Sequence, residues 1–225
     1  MKNKLIVITI LAVSMLSGCA YIQKAKRTDD LENENANLRN RIVQLQKDKA
    51  KEVKQVYERK GKEISELEQA KRELEESLKK EIGEYKAKLQ MTERGLVITF
   101  VSEIFFDSGK DKVKEDGKIT LSKVAEVLNR DVPNSNLAVE GHTDNDPIKY
   151  SGWKSNWELS SARALAVLHY LIGEGQVKPQ RLSANGYGEF HPVAPNDTVQ
   201  NKQKNRRVEI VILPSKLSKV KPQEN

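Results

Sequence analysis

Hydrophobic and polar positions alternate in three different ways along this chain, and each way predicts a different kind of element. The first is a run of twelve apolar residues, Leu5 to Leu16, behind Lys2 and Lys4 and ahead of the small residues Ser17-Gly18. Twelve helical residues rise only about 18 Å, short of a bilayer core of roughly 30 Å, so the run reads as a removable signal segment, residues 1–18. The second pattern is a seam of single apolar positions three and four residues apart. It runs through Leu31, Asn35, Leu38, Ile42, Leu45, Lys49, Val53, Val56, Lys60, Ile64, Leu67, Lys71, Leu74, Leu78, Ile82, Tyr85 and Leu89. Steps averaging about 3.6 residues give a nearly straight helix. The pattern predicts a stalk over residues 28–91, on the order of 90 Å long at 1.5 Å per residue. Asn35, Lys49, Lys60 and Lys71 interrupt the seam, which leaves open both a solvated single helix and a weak coiled coil or protein partner.

The third pattern begins near Arg94, where short runs alternate with amphipathic stretches. "GLVITF" predicts a strand and "EIFF" a second extended piece leading into the turn "DSGKD". A helix over Lys114–Asn129 carries Ile119, Leu121, Val124, Val127 and Leu128 on its apolar side, and Pro133 closes it. "NLAVEGH" is the next strand. Ser155-Asn156-Trp157-Glu158 has the spacing of a capping box and opens a helix to about Ile172. "RLSANGYG", a short helix capped by Asp197 or Thr198, and "RVEIVIL" complete the order β-α-β-α-β-α-β. The expectation is an α+β domain over residues 92–214, with helices packed on a mixed sheet, followed by a basic tail, residues 215–225.

Composition sharpens the division. All seven prolines lie from Pro133 onward, consistent with a helical first part and a compact second. The formal charge of +7 divides as +2, +3 and +2 over residues 1–18, 19–91 and 92–225. Both signs are interspersed throughout, which argues against a basic stripe and hence against a nucleic-acid partner. The three histidines lack ligand spacing, so neither a metal nor another cofactor is expected. No G-x-S-x-G or H-E-x-x-H run is present, and the chain is expected not to be an enzyme.

The only cysteine, Cys19, ends the sequence Leu16-Ser17-Gly18-Cys19, which resembles the lipobox of bacterial lipoproteins. That resemblance implies cleavage before Cys19, acylation of its thiol, and a lipidated linker over residues 19–27. Two or more acyl chains give a stable anchor, since each buried methylene contributes about 0.8 kcal/mol. Ala20 follows, without the aspartate that retains enteric lipoproteins at the inner membrane. The implied location is therefore the periplasmic face of the outer membrane.

The segments "IFFDSGKD", "VEGHTDN", "NWELSSARA", "YGEFHPVAPN" and "NRRVEI" occur in the order found in the OmpA-like peptidoglycan-binding domain. The resemblance spans residues 94–213, and the loop "DNDPIKYSGWKSNWELS" is similar to the longer loop of MotB-type members. It implies non-covalent binding of peptidoglycan through the diaminopimelate of the stem peptide, whose free end carries an ammonium and a carboxylate. In that resemblance Asp144 is the acid that takes the ammonium and Arg163 the fork that grips the carboxylate. Asn156, Leu159 and Arg163, at i, i+3 and i+7, share one helix face. Asp107 either borders the pocket or caps the turn, and Arg206 either reaches the peptide or packs. Trp153 and Trp157 anchor the loop or stack on ligand. The joint implication is a lipoprotein that ties the outer membrane to the cell wall. The alternatives are a MotB-like subunit of an envelope motor or secretion machine and, less favoured, a wall hydrolase.

Overall fold

The computed structural model describes residues 2–149 and 151–214, with side chains described from Tyr21 onward. The signal segment, the thiol of Cys19 and the basic tail therefore lie outside what can be compared. The chain divides into two compact units, Met1–Arg59 and Lys60–Asn225. Among the described residues no helix is long and apolar enough to cross a membrane.

The first unit is helical throughout its described length and belongs to α1, Lys2–Ser77. From Tyr21 to Arg59 every described side chain is exposed except the half-buried Val56. The seam is present here but uncovered, with Leu31, Leu38, Ile42, Leu45 and Val53 in solvent. Local pairs such as Lys54–Glu58 at 3.9 Å support the helix by only a few tenths of a kcal/mol each.

The second unit shows where the helix stops. Leu67, Ala70, Leu74 and Leu78 are buried in the core, and Ile82 packs against it. The expected helix to about Leu89 instead ends at Ser77. A single further turn, α2, Lys79–Gly83, follows, and Tyr85 at φ 56° reverses the chain. Ala87–Thr92 then forms β1, an edge strand antiparallel to β2, Gly95–Val101. Leu89 fits a helical step of four from Tyr85. It equally fits the period of two with Ala87 and Met91, and the hydrogen bonds offered by β2 decide between them. Gly95, at φ 113°, closes this hairpin where a Cβ would lie 2.0 Å from the Ile212 carbonyl oxygen.

The remaining order is α3 (Glu115–Arg130), β3 (Asn136–His142), α4 (Asn156–Gly173), β4 (Leu182–Gly186), α5 (Val199–Asn205) and β5 (Arg207–Leu213). The sheet runs β1-β2-β5-β3-β4, with β3 and β4 parallel and the other pairs antiparallel, so it is mixed as expected. It has one strand more than expected, and "EIFF" is not extended: Ser102–Ile104 form a 3-10 turn. Leu96, Ile98 and Phe100 of β2, Leu137 and Val139 of β3, and Val208, Ile210 and Ile212 of β5 meet Leu121, Val124 and Leu128 of α3 and Ala164, Val167 and Leu171 of α4. Each such side chain contributes roughly 1.5–3 kcal/mol on burial. Ile119 is exposed, against expectation, because α3 turns its Leu121–Val124–Leu128 stripe inward.

Glycine sets how closely α4 lies on the sheet. A Cβ on Gly141 of β3 would stand 2.1 Å from the Ser160 carbonyl oxygen, and one on Gly186 of β4 would meet Ser161 at 2.1 Å. The close approach brings the first turns of α4 beside the end of β3, where the conspicuous polar residues collect.

Candidate functional site

A cleft of about 580 Å³ opens at the end of β3, and Asp107, Asp144, Asn156, Leu159, Arg163 and Arg206 all line it. The chain thus brings together six residues spread over a hundred positions, and each reaches the cleft for a local reason.

Asp144 lies two residues beyond β3. The pairing of β3 with the segment after β4 continues through Thr143 N–H to the Gly188 carbonyl, 2.9 Å, and Tyr187 N–H to the Gly141 carbonyl, 2.9 Å. These bonds fix the backbone that presents the acid, which is itself almost fully buried. Its Oδ1 accepts the Asp146 N–H at 3.1 Å, which starts the loop. The far end of that loop is secured twice. Trp153 Nε1 donates to the Gly109 carbonyl at 3.0 Å, and the Ser155 hydroxyl accepts the Glu158 N–H at 3.3 Å as the N-cap of α4. Glu158 reaches back to the Lys154 N–H at 2.8 Å, one residue before the partner of a regular capping box. Trp153 is therefore a loop anchor.

Asn156 stands at the first position of α4 and is buried. Its Nδ2 donates to the Asp146 carbonyl at 3.1 Å and to Glu189 Oε2 at 2.6 Å, and it lies 3.4 Å from the Asp144 carbonyl. One amide thus joins the loop, the helix start and the turn after β4. Leu159, one turn along, supplies an apolar wall.

Arg163 projects from the next turn and is 5% exposed. Its Nε donates to the Lys110 carbonyl at 2.9 Å and its Nη2 to the Asp107 carbonyl at 3.2 Å, while its guanidinium carbon lies 5.2 Å over the Phe106 ring. Those two carbonyls orient the fork but do not neutralise it. No carboxylate lies within salt-bridge distance of Arg163 among the described residues. Burial pulls its pKa down, opposed by the nearby Glu103 charge, yet a guanidinium stays protonated at neutral pH. A cation so placed favours an incoming anion.

Asp107 contributes its backbone to this arrangement. Its carbonyl accepts from Arg163 and from the Lys110 N–H at 3.1 Å. Its carboxylate is largely exposed at the cleft mouth, 4.0 Å from Lys114 Nζ. The turn before α3 is thus closed by the Asp107 carbonyl, not by its carboxylate.

Arg206, at the end of α5, settles a question that spacing had left open. Its Nη1 donates to Asp144 Oδ2 at 2.6 Å, and its Nε and Nη2 donate to Glu103 Oε1 at 3.0 and 2.8 Å. Among the described residues the partner of Asp144 is therefore Arg206, not Arg163. Burial opposes the charge on Arg206, but the hydrogen bonds to Asp144 and Glu103 outweigh it and its pKa is raised. Glu103 is the member that sequence reasoning missed. The only signal for it was an acid set between "ITFVS" and "IFF", an unusual place for a charge on an apolar run. Two acids and two arginines give a cleft of zero net charge from these four groups, with the acids bridged and one arginine unmatched.

On the opposite face of the sheet the chain forms a second polar cluster. Glu140, His142 and Glu209 present donor atoms within 4.8 Å of one another. Arg94 pairs with Glu140 and lies 3.4 Å from Glu209, and Arg207 Nε donates to Glu209 at 2.6 Å. Guanidinium groups thus hold both carboxylates, and the cluster reads as a charge network that covers the sheet. Spacing along the chain had no means of showing it.

The mixed sheet with helices on one face is the fold of OmpA-like and MotB-type domains, and here the cleft of opposed charges opens at the end of its β3. Residues 105–206 match the OmpA family, so the chain carries an OmpA-family domain. It is 41% identical over 149 residues to motility protein B of Bacillus subtilis, covering 66% of this chain and 57% of that protein. The chain spans about half the length of the curated relatives it matches. Among solved structures, the cell wall anchor of the T6SS from Pseudomonas aeruginosa superimposes with a TM-score of 0.57 at 30% identity, over 63% of this chain and 97% of that one. The periplasmic domain of Helicobacter pylori MotB superimposes with a TM-score of 0.54 at 30% identity, over 58% and 80%.

Proposed function

We propose that this protein binds peptidoglycan non-covalently in the periplasm and, anchored by lipid on Cys19, tethers the outer membrane to the cell wall. The observation that carries the binding reading is the buried Arg163, aimed into the cleft by two carbonyls and left without a carboxylate. The carboxylate at the diaminopimelate side-chain end completes it. The adjoining ammonium is received at the acid side of the cleft, where Asp144 and Glu103 share Arg206. A relative described as a cell wall anchor supports the same reading. The role is binding without hydrolysis, because a glycosidase needs two carboxylates free to act about 5–9 Å apart, whereas Asp144 and Glu103 are both tied to one arginine.

The test is co-sedimentation with purified sacculi, followed by titration with stem peptides whose diaminopimelate side-chain carboxylate is free or amidated. Asp144→Asn and Arg163→Ala should each weaken binding about thirty-fold or more, as expected when one partner of a desolvated pair is lost. The free peptide should bind the parent far better than the amidated one. Equal binding of the two by the parent would show Arg163 to be structural, and release of muropeptides during incubation would turn the protein into an enzyme.

A second reading has the same clamp serving a MotB-like subunit of an envelope machine. It is favoured by the match to motility protein B. Fractionation separates the two: recovery with the inner membrane supports the machine, recovery with the outer membrane the tether.

A further inference from the structure

Two aromatic rings stand in solvent beside the cleft, and the binding reading leaves them without a task. Trp157, in the first turn of α4, is 48% exposed, and Phe190, in the turn after β4, is 61% exposed. They stack at 5.1 Å between centroids with 22° between planes. The other aromatic pairs involving phenylalanine in this domain, Phe100–Phe105 and Phe105–Phe106, are buried. Exposing two large rings forgoes burial energy that the core collects elsewhere.

Their position is tied to the cleft wall. Trp157 follows Asn156, which lines the cleft, and Phe190 follows Glu189, which accepts the Asn156 Nδ2 hydrogen bond at 2.6 Å. Gly188, at φ 54°, turns the chain beneath both rings: a Cβ there would stand in ordinary van der Waals contact with each, at 3.5 Å. Trp153 spends its indole N–H on a carbonyl, but Trp157 Nε1 has no hydrogen-bond partner among the described residues. An exposed ring face with an unused N–H at its edge matches a pyranose, which offers a face of C–H bonds and acceptor oxygens around it.

We propose that Trp157 and Phe190 form a shelf for an N-acetylated amino sugar of the glycan strand whose stem peptide occupies the cleft. The inference rests on the peptidoglycan reading above and adds a second ligand class to the same protein. Covalent linkage of sugar to peptide makes a weak shelf effective, because the cleft holds the sugar at high local concentration. Two rings are also too small for a protein partner. They offer at most about 150–250 Å² each, against roughly 800 Å² per side in a stable interface.

The experiment compares two ligands on the full chain: a disaccharide tripeptide, and the same tripeptide freed of sugar. The parent should bind the sugar-bearing form on the order of five- to ten-fold more tightly, the range expected of one aromatic contact. Trp157→Ala and, separately, Phe190→Ala should erase that preference while leaving affinity for the free tripeptide unchanged. Equal affinity of the parent for both ligands, or a preference that survives both substitutions, overturns the shelf while the clamp stands. If the parent binds neither ligand, the clamp reading fails and takes the shelf with it. A change in sedimentation coefficient on Trp157→Ala assigns the rings to a second copy of the chain and also overturns the proposal.

Discussion

His142 is where single-residue chemistry bears most directly on stability. It is buried against Tyr187, stacked at 5.1 Å, and neither ring nitrogen has a hydrogen-bond partner. Burial, then the charges of Arg207, His191 if protonated, and Arg94, bring its pKa from 6.5 down to about 3. Glu140, with an oxygen 4.0 Å from Nε2, does not reverse this. The unfolded chain binds the proton near pH 6.5 and the native chain only near 3. Stability is therefore fully present above about pH 6.5 and falls as the pH drops through that window, by up to about 1.4 kcal/mol per pH unit from this one group. His142→Phe keeps the stack and removes the proton, so its denaturation midpoint should fall less steeply than the parent's between pH 6 and 4. An unchanged slope would mean that other groups govern the acid limb. Arg206 poses the opposite case, since its removal leaves the buried Asp144 and the half-exposed Glu103 without their shared cation. Arg206→Ala should lower the melting temperature more than Arg163→Ala, because Arg163 leaves behind only two carbonyls, measured by thermal denaturation of the ligand-free protein. The six residues that the family resemblance named all line the cleft, because they sit in ordered motifs that can be matched along the chain. Glu103 and the Asp144–Arg206 pair were not legible in this way, since they join residues 103 and 62 positions apart and no local pattern encodes such a contact.

At the scale of elements, periodicity served best where one face meets the core and worst where two periods coincide. The apolar stripe of α3 and the cap of α4 were readable because each depends on neighbours within one or two turns. The end of α1 was not, because Leu67, Leu74, Leu78 and Leu89 satisfy a helical seam whether they face another helix or this sheet. Ala70, fully buried, lies outside the seam as read, and Lys71, placed on it, points outward to Glu75 at 2.8 Å. The consequence is a different minimal domain. A fragment of residues 92–225 loses β1 and the Leu67–Leu78 packing, leaving one edge of β2 unpaired and core residues of the sheet uncovered. It should melt well below a fragment of residues 60–225, and a comparison of the two by calorimetry decides the boundary. Within the longer fragment Leu74→Ala should cost about 2–5 kcal/mol, the usual range for a leucine removed from a packed core. A smaller effect would mean that the last turns of α1 dock loosely.

For the whole molecule, the first unit supplies exposed apolar positions and contains Cys19, the only cysteine of the sequence. Leu31, Leu38, Ile42, Leu45 and Val53 form a stripe interrupted by Lys49 and bounded by Lys60. Replacing both lysines with leucine should promote self-association in sedimentation if the stripe is a pairing surface. The proposed lipid anchor rests on Cys19. Its thiol is the only one in the sequence, so no other residue can accept a thioether-linked diacylglyceryl group. Cys19→Ser should abolish incorporation of labelled palmitate and leave the chain as uncleaved precursor. That change leaves the proposed wall-binding cleft unaltered, so sacculi should still retain the mutant. Loss of membrane recovery together with kept wall binding is the signature of a two-ended tether. Label that still enters the mutant would remove the lipid anchor from the account and leave the proposed wall binding to be judged on the cleft alone.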